Sequence, residues 1–520
     1  MQAVRRIVSE NREKIMKQSR SISSLLNAIT AMGLTLINGL MGIVATRLII
    51  EAFGSDFNGL NSTANQIVNV LLILEGGFTM ASNVALFAPL TQGDYPLANG
   101  ILSATRNKFK KMGGIFFLVG VAVAVLYGLV ANSALPEEFI STVILMTVAP
   151  AAFNLYYATT YRVLLQTQQK EYIINIITIC TIGLGHLANI VMISCGGPMW
   201  MVRFNTMVFA FANSFMIAGY VKKKTPYLDL KQAPRAEMIQ GTGDVMVQKI
   251  TGVIYNSAPI VFLSISATGG TALASVYAVY NNVFTMVKSL LHSVIDAPRL
   301  SFGQMLTERK KEDVWSVFAQ YEFAAFSAVF VLLTSCCVLI LPFVSLYTDG
   351  ITDINYYDVK IALLMVGISA LEMLHIPSGH LINMAGKFRI SRDFQLIACV
   401  VLVIGMVVGG AAWGIYGMLA SILLVAVLLC VLEMGYIHTC FFSKKILALL
   451  RMLLPLGVTG VVLCAVEMQL NVQIDGYIEF LLYGVLFACL NSVAALVVGF
   501  LFNRRELMAI IRRIRSLIKI

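Results

Sequence analysis

Charged side chains are scarce in this sequence, where Asp, Glu, Lys and Arg together make up only 12% of 520 residues. Hydrophobic residues make up 58%, well above the roughly 45–50% of soluble domains, and this excludes an ordinary soluble protein. The charge-free runs that result are typical of helices that cross a membrane, because such helices pair every backbone polar group internally. We therefore expect a polytopic membrane protein.

Recognisable catalytic and ligand-binding motifs are also missing. The sequence has no nucleotide-binding loop and no zinc-binding helix motif, and its nine cysteines lack the spacing of metal ligands. No loop is large enough to form a catalytic domain. We predict a transporter rather than an enzyme, with no cofactor and no metal site. Its energy must then come from a proton or sodium gradient, the membrane potential or the gradient of the substrate.

Fourteen segments are apolar enough, and long enough at about 20 residues or more, to span a membrane. They lie at 25–50, 60–88, 112–132, 139–164, 173–195, 199–221, 243–267, 272–298, 321–345, 359–385, 394–412, 416–437, 447–467 and 476–502. Lys and Arg collect in the loops on one side of these segments, while the loops on the other side hold mostly Asp and Glu. This asymmetry predicts that both termini are cytoplasmic.

The predicted fold class is all-α, with two pseudo-symmetric six-helix lobes and two further C-terminal helices. Each half contains a glycine turn, at 54–61 and 269–276, that leads into a long second helix. Six helices per half preserve orientation, so the halves would be related by an axis along the membrane normal. The predicted domains are a basic N-terminal segment (1–24), an N-lobe (25–221), a cytoplasmic linker (222–242), a C-lobe (243–440), helices 13 and 14 (441–503) and a basic tail (504–520).

The net charge of +11 does not indicate nucleic-acid binding, because the bases are spread over eight membrane-facing segments instead of one domain. Contact with anionic phospholipids is the expected role of these bases. Residues 1–24 are polar and basic and lack the apolar core of a signal peptide. No motif specifies a protein partner, so we expect a monomer, and membership of a glycan-assembly complex stays open.

Residues 45–101 contain Arg47, the turn GSDFNGLN, the run LEGGF around Glu75 and the helix exit PLTQGD. In these features the segment resembles the first two helices of bacterial polysaccharide-biosynthesis flippases, in the multidrug/oligosaccharidyl-lipid/polysaccharide exporter superfamily. The resemblance implies fourteen helices and a central cleft lined by the first two helices of each lobe. It also implies a polyprenyl-diphosphate-linked oligosaccharide as substrate, moved from the inner to the outer leaflet of the bacterial cytoplasmic membrane.

Few ionisable residues lie within the predicted spans, where a charge costs about 2.5–3.5 kcal/mol on insertion scales and usually has a partner. Glu75 and Lys288 lie at similar depths in the second and eighth helices. Our hypothesis is that they meet, or alternate partners, across the cleft. The alternative is that each is satisfied locally, by residues such as Asn69 or Ser289.

A pyrophosphate that crosses the membrane needs cationic sites at several depths, and arginine suits phosphate because its guanidinium can bond two oxygens at once. We therefore predict Arg47, Arg203, Lys249 and Lys288 as an ordered set of head-group contacts. For Arg47 and Arg203 the alternative is that each side chain extends from its helix end to the membrane interface.

The tenth helix contains Glu372 and His375, which are three residues apart and so share one face, just before Pro377. A carboxylate and an imidazole beside a helix break can carry protons, so we predict a coupling role for this pair. A structural pair is the alternative.

The leading interpretation is a flippase for a lipid-linked glycan that works by alternating access. A proton- or sodium-coupled antiporter for drugs or organic cations shares the fold, but it requires an acidic cavity, and here the bases within the spans match or outnumber the acids. A membrane-embedded glycan polymerase would place an acidic or arginine cluster in a large outer loop, and the predicted outer loops are short.

Overall fold

The structure is a computed structural model that describes residues 2–75, 77–239, 243–266, 270–296, 298, 302, 305–306, 309–470, 472 and 474–518. Within these ranges the chain is almost entirely helical and contains no strand, as the sequence predicts. The helices are α1 (Gln2–Leu71), α2 (Phe78–Gln92), α3 (Tyr95–Val130), α4 (Glu137–Phe153), α5 (Thr159–Thr167), α6 (Glu171–Ser194), α7 (Trp200–Lys224), α8 (Gly243–Ile265), α9 (Gly270–Ile295), α10 (Lys311–Tyr347), α11 (Val359–Met384), α12 (Phe388–Leu429), α13 (Ile446–Met468), α14 (Tyr477–Phe502) and α15 (Arg504–Ile518). Short 3₁₀ segments lie at Leu72–Leu74 and Ala236–Met238, and π-helical segments lie at Asn154–Ala158, Cys430–Met434 and Tyr436–Phe441.

Ten helical stretches in the described part of the chain are long and apolar enough to cross a membrane, judged by length and composition. Two of them, Ile29–Leu71 and Phe388–Phe441, are much longer than a core of about 30 Å requires, and each is bent at a glycine. With these two divided at their bends, and with α8 and α9 added, the helices account for the fourteen predicted segments. The chain is therefore an all-α polytopic membrane protein with about fourteen helices.

The bends lie at glycines whose backbone conformation other residues rarely adopt. Gly54 has a φ of 82°, Gly270 has a φ of 81° and Gly414 has a φ of 57°. Glycine has no Cβ and enters this region at little steric cost. The two predicted glycine turns thus each contain a glycine with a positive φ near 80°, and Gly414 separates the two halves of α12 where the sequence predicts a gap.

Two aspartates begin helices. The Asp94 carboxylate accepts a hydrogen bond of 3.0 Å from the Leu97 amide at the start of α3. The Asp358 carboxylate accepts hydrogen bonds of 2.8 Å and 3.0 Å from the first amides of α11, which otherwise have no partner within the helix.

The predicted second span, 60–88, is not one continuous helix. The helix tightens into the 3₁₀ segment before Glu75 and restarts at Phe78, whose amide donates to the Glu75 carbonyl oxygen at 3.0 Å. The sequence places two glycines directly after Glu75, and glycine is a poor helix former. Glu75 therefore lies in a turn within the span, where the sequence predicted regular helix.

The chain forms two compact units, Met1–Val253 and Ile254–Ile520. In the first unit, the polar segment after α7 packs on α3: the Asn99 side chain donates to the Tyr227 carbonyl oxygen at 2.7 Å, and the Arg235 amide donates to the Gly100 carbonyl oxygen at 3.0 Å. In the second unit, the two halves of α12 contact each other through glycines, and a Cβ on Gly409 would lie 2.8 Å from the Gly417 carbonyl oxygen. The absence of side chains at these glycines therefore allows the two halves of α12 to pack closely.

Several predicted features include residues outside the described ranges. They are Gly76 of the LEGGF run, residues 240–242 of the linker, Gly269 of the second glycine turn, Thr307 at the exit of the eighth helix, and residues 519–520 of the basic tail.

Candidate functional site

The first unit encloses a cavity of about 380 Å³ between α4, α6 and α7. Its lining is rich in Asn and Thr and includes two guanidinium groups, from Arg162 and Arg203, together with the imidazole of His186. Among the described residues that line it, none is Asp or Glu. We call this space the arginine cavity. Its charge favours an anionic ligand over a cationic one.

Two polar helix faces form most of the arginine cavity. On α6 the stripe is Thr178, Thr181, Gly185 and Asn189, and on α7 it is Arg203, Thr206, Ala210 and Asn213. Residues spaced by three or four positions lie on the same side of a helix, so each stripe presents its polar groups to the cavity. Within otherwise apolar helices, this pattern brings polar side chains from two helices to one space inside the unit.

Arg203 is buried, with 4% of the residue exposed. Its guanidinium donates to the Asn65 side-chain oxygen at 3.1 Å and to the Asn61 carbonyl oxygen. Both acceptors lie at or just after the GSDFNGLN turn that the sequence analysis singled out. In this structure Arg203 is therefore held inside the first unit by α1.

Arg162, on α5, is the second cation of the arginine cavity. It donates to the Asn213 side-chain oxygen at 2.6 Å, and the Asn213 amide group donates in turn to Thr181 at 2.9 Å and Thr178 at 3.2 Å. Sequence reasoning missed Arg162 because it lies near the end of a predicted span. The polar stripes on α6 and α7 are the sequence signal from which a polar site beside Arg162 could have been predicted.

The two arginines lie at different depths along the arginine cavity. Asn213, which holds Arg162, is ten residues beyond Arg203 on α7, and this separation corresponds to about 15 Å along a helix. In each guanidinium the Nε–H group is buried and has no acceptor among the described residues. Both arginines therefore keep hydrogen-bonding capacity for a further group, at two depths.

Glu75 lies near Arg162 in this unit. The Thr79 hydroxyl donates a hydrogen bond to the Glu75 carboxylate at 2.5 Å. The negative charge of the same carboxylate attracts the Arg162 guanidinium. Glu75 is thus satisfied within the first unit, by a threonine one turn later and by the Arg162 charge. Its predicted pairing with Lys288 joins the two units and stays a prediction.

Lys288 and Glu372 form an ion pair in the second unit, with 2.8 Å between Nζ and Oε2. Their side chains are 18% and 11% exposed, so most of the pair is removed from the surface. The sequence predicted both residues as functional but did not predict their contact.

His375 has a different partner. Its Nδ1 lies 2.9 Å from Oε2 of Glu433, which belongs to the π-helical segment Cys430–Met434. Glu372 and His375 do share one face of α11, as predicted, yet each contacts a different element.

The remaining predicted cations lie in the first unit. Arg47 is a half-buried residue of α1, and Lys249 is an exposed residue of α8. Of the four predicted cations, Arg203 lines the arginine cavity, whereas Arg47 and Lys249 are not among the described residues that line it.

No protein-family model and no curated protein sequence matches this chain significantly. Solved structures do match it by backbone geometry. The lipid II flippase MurJ in an inward closed conformation aligns with 92% of this chain and 99% of its own, at 13% identity and a TM-score of 0.64. A multidrug-resistance MATE transporter of the MOP superfamily in an inward-facing conformation aligns with 84% of this chain and 98% of its own, at 13% identity and a TM-score of 0.57.

A further MOP-superfamily transporter, from Pyrococcus furiosus Vc1, is described as having a binding pocket of reverse polarity. It aligns with 85% of this chain and 96% of its own, at 14% identity and a TM-score of 0.56. The likeness extends over nearly the whole length of each of these structures. The chain therefore has the fold that MurJ and the MATE transporters share.

Proposed function

We propose that this protein is a flippase that moves a polyprenyl-diphosphate-linked oligosaccharide from the inner to the outer leaflet of the bacterial cytoplasmic membrane. The observation that carries the proposal is the arginine cavity, which holds the guanidinium groups of the buried Arg203 and the half-buried Arg162 and no lining carboxylate among the described residues. A fold shared with a lipid II flippase supports the same conclusion. Transport proceeds by alternating access, with both termini cytoplasmic.

The lining residues suit a phosphorylated glycan. A guanidinium with a free Nε–H can bond two oxygens of one phosphate, and charge-assisted hydrogen bonds of this kind are stronger than those between neutral groups. The Asn and Thr side chains between the arginines offer donors and acceptors to sugar hydroxyls. Because Arg203 and Arg162 are separated in depth, each serves a different stage of head-group movement.

The other predicted cations have supporting roles in this proposal. Arg47 and Lys249 contact the head group before or after it occupies the arginine cavity. Lys288 binds phosphate only when Glu372 releases it, since the two form an ion pair in the present conformation. Glu75 balances the Arg162 charge while the arginine cavity is empty. Anionic phospholipids contact the cytoplasmic bases.

The second candidate function is a proton- or sodium-coupled antiporter for organic cations. The fold shared with a MATE transporter favours it, as do the buried carboxylates of the second unit. However, Glu372 is paired with an ammonium and Glu433 with an imidazole, so neither is open to an organic cation in this conformation.

Leaflet exchange in reconstituted vesicles tests the proposal. A fluorescent polyprenyl-diphosphate oligosaccharide is placed in both leaflets, and a membrane-impermeant reductant then bleaches the outer pool. The proposal predicts that the protein exposes the inner pool to the reductant, while vesicles without protein keep it protected. If the lipid stays protected and the vesicles instead exchange an organic cation for protons or sodium, the antiporter replaces the flippase.

A further inference from the structure

The second unit contains a row of ionisable side chains along α11 that the arginine cavity does not use. Glu372, His375 and Ser378 are spaced by three residues and so lie on one face, over about 9 Å of helix. Each meets a different element: Glu372 contacts Lys288 of α9, His375 contacts Glu433, and the Ser378 hydroxyl donates to Glu322 of α10 at 3.5 Å.

A second imidazole completes this row. Nε2 of His438 lies 2.9 Å from Oε2 of Glu322, and both side chains are fully buried. We call the set of Lys288, Glu372, His375, Glu433, Ser378, Glu322 and His438 the ionisable ladder. Pro377, at its centre, cannot donate a helical hydrogen bond, so the carbonyl of Met373 lacks its usual helical partner.

Two consecutive π-helical segments direct the ladder residues inward. Glu433 lies in Cys430–Met434, and His438 lies in Tyr436–Phe441. In a regular α-helix two residues five positions apart point about 140° away from each other. The i→i+5 hydrogen bonding of a π-helix brings such residues back toward one side, and π segments are frequent at functional sites. The backbone irregularity thus places both groups against α10 and α11.

The charges of the ladder are not balanced without added protons. Three carboxylates and one ammonium give a net charge of −2 when both imidazoles are neutral, and the ladder becomes neutral when both are protonated. Burying an unbalanced charge is costly, and imidazole is the side chain whose ordinary pKa allows it to gain a proton near neutral pH.

Other titratable groups face the ladder from every element around it. Tyr255 and Tyr277 interact electrostatically with Glu372, and Cys430 interacts with Glu433. Lys444 lies over the Trp315 ring at 5.8 Å, and that ring is in edge contact with His438 at 5.1 Å. Below His375 on α11, His380 pairs with Asp296 at 3.5 Å. Of these groups only Lys444 and Asp296 are normally ionised at neutral pH, and their charges cancel.

Proton uptake at His438 requires a change of conformation. Protonated imidazole donates from both ring nitrogens, but Nδ1 of His438 is buried and has no acceptor among the described residues. The protonated ring is therefore better accommodated in a conformation that gives Nδ1 an acceptor. A ligand that binds two conformations unequally shifts the balance between them, so protonation of His438 favours the conformation that supplies the acceptor.

We propose that the ionisable ladder is the proton-binding site that couples transport to a proton gradient, with His375 and His438 as the groups that gain and lose protons. The coupling role rests on the proposed function, because it needs a transport cycle to drive. Proton binding to the ladder does not depend on which substrate is carried. His375, whose side chain is 16% exposed, exchanges its proton with water, whereas the buried His438 does so only in a conformation that opens it to water, and in each case the paired carboxylate stabilises the imidazolium.

Trp315 offers a direct probe of His438, since a protonated imidazole quenches an adjacent indole. The sequence has three tryptophans, and Trp200 and Trp413 are exposed. In a Trp200→Phe/Trp413→Phe background, emission from the purified protein in detergent is measured from pH 9 to pH 5. The proposal predicts progressive quenching as the pH falls. It also predicts that His438→Gln removes the quenching and that the exposed-residue control His292→Gln retains it.

Emission that is independent of pH, or quenching that persists in His438→Gln, would overturn proton binding whether or not the protein is a flippase. Coupling is then tested in vesicles. A pH gradient should accelerate leaflet exchange by the wild type and by the control His292→Gln, and this response should be lost in His438→Gln and in His375→Gln. An equal response in wild type and variants overturns the coupling role, as does acceleration by a sodium gradient alone.

Discussion

Replacing Lys288 by methionine should destabilise the second unit, because it leaves the Glu372 carboxylate in a largely buried position without its ammonium at 2.8 Å. Removing one partner of a buried ion pair typically costs about 3–5 kcal/mol. Protonation of the carboxylate sets an upper limit on this cost, because a protonated carboxyl group carries no charge. Protonating a carboxyl group with an ordinary pKa of about 4.3 requires about 3.7 kcal/mol at pH 7. At pH 6 the same limit is about 2.3 kcal/mol.

The sign of the pH dependence follows from proton counting. Wherever the folded variant keeps Glu372 protonated and its unfolded chain does not, the stability of the variant relative to the wild type falls as the pH rises. The double variant Lys288→Met/Glu372→Met removes both charges and should lie within about 1 kcal/mol of the wild type, or above it.

Thermal unfolding in detergent, followed at pH 6, 7 and 8, measures this prediction. We expect the wild type and the double variant to melt at similar temperatures, and the single variant to melt earlier by a margin that grows with pH. A single variant as stable as the wild type at pH 8, or a double variant as unstable as the single one, would show that the pair is not energetically coupled.

Three further predictions concern the helix framework, and each uses the melting temperature in detergent as its readout. Gly54→Ala should cost about 1–3 kcal/mol, because Gly54 has φ 82° and ψ 170°, a region that is essentially restricted to glycine; an unchanged melting temperature would contradict the assigned bend. Asp358→Ala should cost about 0.5–2 kcal/mol through loss of the two capping hydrogen bonds at α11, and Asp358→Asn should recover most of it. Gly409→Val should destabilise strongly because a side chain there meets the Gly417 carbonyl oxygen, whereas Gly219→Ala, where no atom lies within 4 Å of the added Cβ, should be neutral.

Much of the helix framework was predictable from hydrophobic runs alone. The predicted gap between 394–412 and 416–437 coincides with the bend at Gly414, and the glycine turn at 54–61 contains the bend at Gly54. The interruption at Glu75 was not predicted, because a hydrophobic run does not distinguish helix from a tight apolar turn. The π segments were missed for a related reason, since a regular 3.6-residue period does not describe them.

The functional residues were predictable only as individuals. An intramembrane charge is conspicuous in a sequence, so Arg203, Lys288 and Glu372 were identified, but their partners depend on packing between distant helices. Lys288 contacts Glu372 across 84 positions of sequence, and His438 contacts Glu322 across 116. Arg162 and Glu433 were overlooked because they lie near the ends of predicted spans, where charges are common.

The role of the arginine cavity in binding an anionic head group is tested most directly by the leaflet-exchange rate of two conservative variants. Arg162→Gln and Arg203→Gln remove the guanidinium charge and keep a polar group, and Arg389→Gln, at an exposed arginine of α12, is the matched control. We predict that each cavity variant loses at least about tenfold in rate, the equivalent of one charge-assisted hydrogen bond of about 1.5 kcal/mol, while the control exchanges at the wild-type rate. Wild-type rates in both cavity variants, with each protein correctly folded, would contradict the account.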